Sequence, residues 1–119
     1  MEFKRLFTQH EAESALPLVR QIVADVLETA RKIRELEEND SELPRLQAEL
    51  EENIQELEGM GCFFKDWNFS VGLVDFPAVI DGETVFLCWR SDENELAWYH
   101  PIEEGYQGRK PLPKASPVE

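Results

Sequence analysis

Gly72–His100 reads GLVDFPAVIDGETVFLCWRSDENELAWYH, and the alternation within it decides the fold. Apolar residues recur at every second position on either side of Asp81-Gly82, the dipeptide that closes a two-residue type I′ hairpin. Such a turn sets Ile80 opposite Glu83, and the pairing runs back through Phe76–Leu87 to Val74–Trp89. A four-residue loop over 91–94 then predicts a third strand, with Arg90 opposite Glu95, Trp89 opposite Leu96 and Leu87 opposite Trp98. Strands are expected near 73–80, 84–90 and 95–100. One face carries Val74, Phe76, Ala78, Ile80, Val85, Leu87, Trp89, Leu96 and Trp98, a core face. The other carries Asp75, Pro77, Thr84, Phe86, Cys88, Arg90, Glu95, Ala97 and Tyr99.

Upstream of this sheet the period changes to that of a helix. Thr8-Gln9-His10-Glu11 fits a capping box, with Thr8 as N-cap and Glu11 reaching back to its amide. Ala12, Leu16, Val19, Val23, Val26, Ala30 and Ile33 then form a heptad seam, widened by Ala15, Ile22 and Leu27. Pro17 is expected to kink this helix or to divide it. Arg31, Lys32 and Arg34 fall late in it, where the helix dipole favours cations. Asn39-Asp40-Ser41 breaks the pattern, and Ser41 reads as the next N-cap. Leu43, Leu46, Leu50, Ile54 and Leu57 give a second stripe, which Gly59 or Gly61 ends. Two helices of unequal length, about 45 Å for the first at 1.5 Å per residue, make an antiparallel hairpin that projects beyond a compact globule. The exposed part of its seam would then meet a second copy of the chain.

The expected fold is α+β: a long antiparallel helical hairpin packed on one face of a three-stranded antiparallel β-meander. The chain reads as one domain over 1–112, with the hairpin over 8–58 and the meander over 62–100. Cys62-Phe63-Phe64 suits a short strand leading into a turn around Trp67-Asn68. A Gly/Pro-rich flexible tail is expected over 113–119.

The hydrophobic fraction of 42%, with three Trp and seven Phe, excludes global disorder. No apolar run approaches the roughly 20 residues of a membrane helix, and no signal peptide precedes the first polar helix, so a cytoplasmic protein without a membrane partner is expected. Net charge is −13, and Glu35 to Glu58 holds ten acidic residues against the single basic Arg45. That field repels phosphate backbones and argues against nucleic acid. It suits a solvated helix face or a surface for a basic protein partner. Cys62 and Cys88 lack CxxC spacing and read as reduced, buried thiols.

Asp75, an acid between apolar neighbours in a strand, is the residue that most needs a reason. It lies opposite Cys88 and diagonal to Arg90, which faces Glu95. This is either an ion-paired sheet surface or a shallow pocket holding an acid, a cation, a thiol and a phenol, partly roofed by the tail. The ligand-binding candidates are Asp75, Cys88, Arg90, Tyr99, His100 and Arg109. His100 with Glu103 and Glu104 forms a weaker metal candidate, because no HxH or i, i+4 helical pair supports it. His10 reads as solvated or capping.

GLVDFP, a DG turn, VFLCWR, E-x-x-WYH and G-Y-x-G-R, preceded by FTxxEAxxALP, resemble the bacterial family catalogued as domain of unknown function 2203. The resemblance runs from Phe7 to about Leu112. Its motif positions fall on Leu16, Pro17, Gly72, Asp75, Phe76, Pro77, Gly82, Cys88, Trp89, His100, Gly105, Gly108 and Arg109. It implies a small cytosolic bacterial protein, carries no assigned activity and leaves any cofactor unknown. Two functional classes therefore compete. One is a non-catalytic homodimeric assembly or protein-interaction module, suggested by the seam and the acidic stalk. The alternative is a small-ligand or divalent-metal-binding protein, hydrolysis included, using the Asp75/Arg90/His100/Arg109 region.

Overall fold

A computed structural model describes residues 3–66 and 68–113. The chain order is α1 (Gln9–Glu35), α2 (Leu43–Gly59), β1 (Phe63–Phe64), β2 (Leu73–Ile80), β3 (Glu83–Arg90), β4 (Trp98–Pro101), a 3₁₀ turn at Tyr106–Gly108 and β5 (Lys110–Pro111). The sheet has five antiparallel strands in the order β1-β2-β3-β4-β5, which corrects the three-stranded meander expected from sequence. The added strands are two residues each: β1 falls on the short strand expected at Cys62-Phe63-Phe64, here joined to the sheet beside β2, whereas β5 is too short for a period-2 pattern to reveal. Of the tail expected at 113–119, all but Pro113 lies outside the described residues, as does Trp67 of the expected turn.

Thr8 caps α1 as its sequence requires. Its hydroxyl accepts from the Glu11 amide at 3.0 Å, and its own amide donates to the Glu11 carboxylate at 2.8 Å. The helix runs on as one element through Pro17, whose ring lies on the exposed face. Most of its seam is covered within a single chain: Ala12, Leu16, Val19, Ile22, Val23, Val26 and Ala30 are buried, and Ala15, Leu27 and Ile33 are half-buried. The cap of α2 differs from expectation. Asp40, not Ser41, organises the entry: its carboxylate accepts from the Glu42 amide at 2.8 Å and its carbonyl from the Leu43 amide. Glu42 is then the N-cap residue, and Pro44 falls in the first turn, where a missing N–H leaves no helical bond unmade.

The β2–β3 register matches the sequence pairing from Leu73↔Arg90 to Ile80↔Glu83. Asp81 and Gly82 both adopt positive φ, 51° and 80°, as a type I′ turn demands. The inner face of the sheet, with Val74, Phe76, Ala78, Val85, Leu87 and Trp89, packs against the α1 seam and Leu57 in one core. At Gly72 a Cβ would come within 2.2 Å of Val23 Cγ1, so a side chain there would push helix and sheet apart.

The β3–β4 register is the decisive correction. Leu87 pairs with Tyr99, not Trp98, and Cys88 with Trp98. The connection occupies 91–97 rather than four residues, and contacts both local and distant in sequence hold it. Trp89 Nε1 donates to the Glu93 carbonyl at 3.0 Å, and Arg20 donates to the Glu93 and Asn94 carbonyls at 3.3 and 3.0 Å. The Glu93 carboxylate accepts from the Arg90 amide at 2.7 Å. A shift of one residue exchanges the faces of every side chain in a strand. Tyr99 thus turns inward against the core, while Trp98 and His100 move to the outer face beside Asp75 and Cys88.

Candidate metal centre

Three consecutive strands bring Asp75, Cys88 and His100 together. Asp75 pairs directly with Cys88, and His100 pairs with Phe86, one pleat along β3 from Cys88. All three residues are buried, and one donor atom from each, a nitrogen, a sulfur and an oxygen, lies within 4.8 Å of the others.

The hydrogen bonds define the histidine's state. His100 Nδ1 is 2.9 Å from the Pro101 carbonyl, which can only accept, so Nδ1 carries a proton. Nε2 then faces the Asp75 carboxylate at 3.2 and 3.3 Å. A bare ring nitrogen and a carboxylate are both acceptors and repel, so a proton or a cation belongs between them. Burial lowers the His100 pKa, but the hydrogen bonds to Asp75 and Pro101 and the carboxylate charge outweigh it, and the net shift is upward. Cys88 moves in the sense that keeps it neutral: burial first, then the Asp75 charge, push its thiol up to about 12. A nucleophilic cysteine needs the opposite shift.

Beside the triad lies a cavity of about 270 Å³ walled by Leu73, Phe86, Ile102 and Tyr106, with Lys65 and Glu104 also in its lining. The Phe86 ring is 5.5 Å from the His100 ring, and Phe3 and Phe63 pack edge-on against Phe86. These aromatics dry the outer face of the sheet, which sequence alone had left open to solvent.

The remaining candidates fall elsewhere. Arg90 donates to Asp92 at 2.6 Å and to the Tyr106 hydroxyl, and not to Asp75 or Glu95. Tyr99 is on the inner face. Arg109 braces the site from behind: its Nη2 donates to the Cys88 carbonyl at 3.2 Å and to both Glu93 carboxylate oxygens at 2.7 and 2.8 Å. Its guanidinium also stacks near the Trp98 and Tyr106 rings, at 5.0 and 4.7 Å. Glu103 and Glu104 are exposed, and of the two only Glu104 lines the cavity. Lys65, Phe86 as a wall and Glu93 as an organiser were not singled out from sequence. Lys65 and Phe63 share a parity in the short FFK run, a signal that becomes useful only once β1 is known to pair with β2.

Among the described residues no helix is long and apolar enough to cross a membrane. No curated protein and no solved structure matches the chain. The model of the family described as "Uncharacterized conserved protein (DUF2203)" matches residues 5–112, nearly the full length and all three residues of the triad, and the chain belongs to that family.

Proposed function

We propose that the protein binds a divalent transition-metal ion through Asp75, Cys88 and His100. The observation that carries this is the buried convergence of carboxylate, thiol and imidazole from three adjacent strands, with His100 Nδ1 bonded to a carbonyl and Nε2 directed inward. Metal-bound histidines commonly have their second nitrogen held by such an acceptor, which sets the tautomer. The donor set suits zinc and its neighbours: imidazole and thiolate favour them over magnesium or calcium, which take oxygen ligands. Three protein donors are the number found in sites that keep a position for water or substrate, and the adjoining cavity supplies room for one. The ion would take the place of any proton at His100 Nε2 and ionise the Cys88 thiol, a Lewis-acid role the side chains cannot fill themselves.

Titration of the chelator-treated protein with Co²⁺ tests the reading. One ion per chain is expected, with a sulfur-to-cobalt charge-transfer absorption that Cys88→Ser removes. Asp75→Asn and His100→Gln should each weaken binding by roughly tenfold or more. Cobalt uptake no greater than that of the Cys88→Ser variant would sink the proposal and leave the triad as a buried hydrogen-bonded cluster.

A further inference from the structure

The centre's charge and the composition of its cavity together point to a class of ligand. A divalent ion held by one carboxylate, one thiolate and one neutral imidazole is formally neutral. An anion entering the cavity beside it would be left with an uncompensated charge against Leu73, Phe86 and Ile102, which is costly in an apolar surround. Lys65 removes that cost. It lines the same cavity, its Nζ lies 5.3 Å from the centre of the Phe86 ring and 5.5 Å from that of Phe63, and among the described residues it has no ion-pair partner. Phe86 in turn lies 5.5 Å from His100, so the ammonium and the metal donors border the same aromatic wall of the cavity.

We infer that the cavity takes a small organic carboxylate with an apolar body, its anionic end between the metal and Lys65 and its body against Phe86 and Ile102. This rests on the metal-binding reading above. The cavity of about 270 Å³ has space for an aromatic or branched acid and excludes a nucleotide or a peptide. Glu104 is the opposing charge in the lining. Its carboxylate lies against Gly108, where an added Cβ would come within 2.4 Å of Oε1. Glu104 disfavours a second negative group on the ligand and so selects a monoanion.

Benzoate is the probe, added to the Co²⁺-loaded protein and followed by the cobalt visible spectrum, with neutral benzamide as its isostere. Benzoate is expected to perturb the spectrum at millimolar concentration or below, and benzamide to do so far more weakly. Lys65→Met should weaken benzoate by about fivefold and Glu104→Gln should strengthen it by a similar factor, with Co²⁺ affinity unchanged in both. Opposite signs at two exposed positions are not a consequence of general destabilisation. If cobalt binds but benzoate leaves its spectrum unaltered, or Lys65→Met binds benzoate as the parent does, the ligand inference falls and the metal centre stands. If cobalt does not bind, both fall.

Discussion

Asp75 is a carboxylate enclosed by a sheet, and its surroundings show what holds it there. An isolated charge at that depth would cost several kcal/mol. The His100 imidazole meets it at 3.2 Å, and the Cys88 thiol opposite it remains protonated. The two thiols carry a testable consequence. Burial raises Cys62, and burial with the Asp75 charge raises Cys88, each from 9.0 to about 12. Between those values the unfolded chain has released thiol protons that the folded chain keeps. Folding therefore loses stability as pH rises from about 9 towards 12, and below 9 the thiols leave stability unchanged. At about pH 10 the loss is on the order of 1 kcal/mol per thiol in the metal-free protein. Urea unfolding at about pH 8 and about pH 10 measures it. Cys62→Ala should roughly halve the pH-dependent part, and a variant with the parental slope would show that Cys62 ionises alike in both states.

At the scale of elements, the tight turn and the long loop differ in what sets their geometry. Asp81-Gly82 specifies the β2–β3 register by itself, because only positive-φ residues close a two-residue hairpin. The 91–97 connection has no such rule, and Glu93 sets its course through neighbours in β3 and through Arg109 and Arg20, far away in sequence. Its carboxylate joins the Arg90 amide to the Arg109 guanidinium, and side-chain exposures of 18% and 9% make the Glu93–Arg109 pair largely buried. Glu93→Gln keeps an acceptor but leaves Arg109 without its counter-charge, and should cost about 2 kcal/mol by urea denaturation. Because Arg109 also holds the Cys88 carbonyl, cobalt affinity should fall in the same variant. Parental affinity in a destabilised Glu93→Gln protein would separate the loop from the metal centre.

The whole molecule measures 53 × 27 × 26 Å, and its long axis follows from unequal packing along the helical hairpin. The main core reaches only Val26 along α1, where sheet and helices share one set of contacts. Farther out, Thr29, Ala30 and Leu46 are buried chiefly between the two helices, and the acidic side chains around them are solvated. Such a segment opens at lower free energy than the sheet. Amide hydrogen exchange should therefore be faster over 30–48 than over 74–89, by roughly two orders of magnitude or more. Equal protection of both segments would indicate that something further covers the hairpin end, as a second copy of the chain along the stalk would.

The amino-acid sequence by itself determined the helical hairpin, the Thr8 capping box, the Asp81-Gly82 turn and the placing of Asp75 opposite Cys88. Each depends on a local rule: a 3.6-residue or 2-residue period, a cap, or a turn that admits only certain residues. Tertiary structure alone decided the edge strand at Lys110–Pro111, the inward turn of Tyr99 and the arrival of His100 at the outer face. These depend on a seven-residue loop whose path is set by Arg20 and Arg109 across distances in sequence that no local pattern encodes. Since a strand's side chains alternate, that single step of register separates a sheet surface bearing a buried acid from a three-donor metal centre.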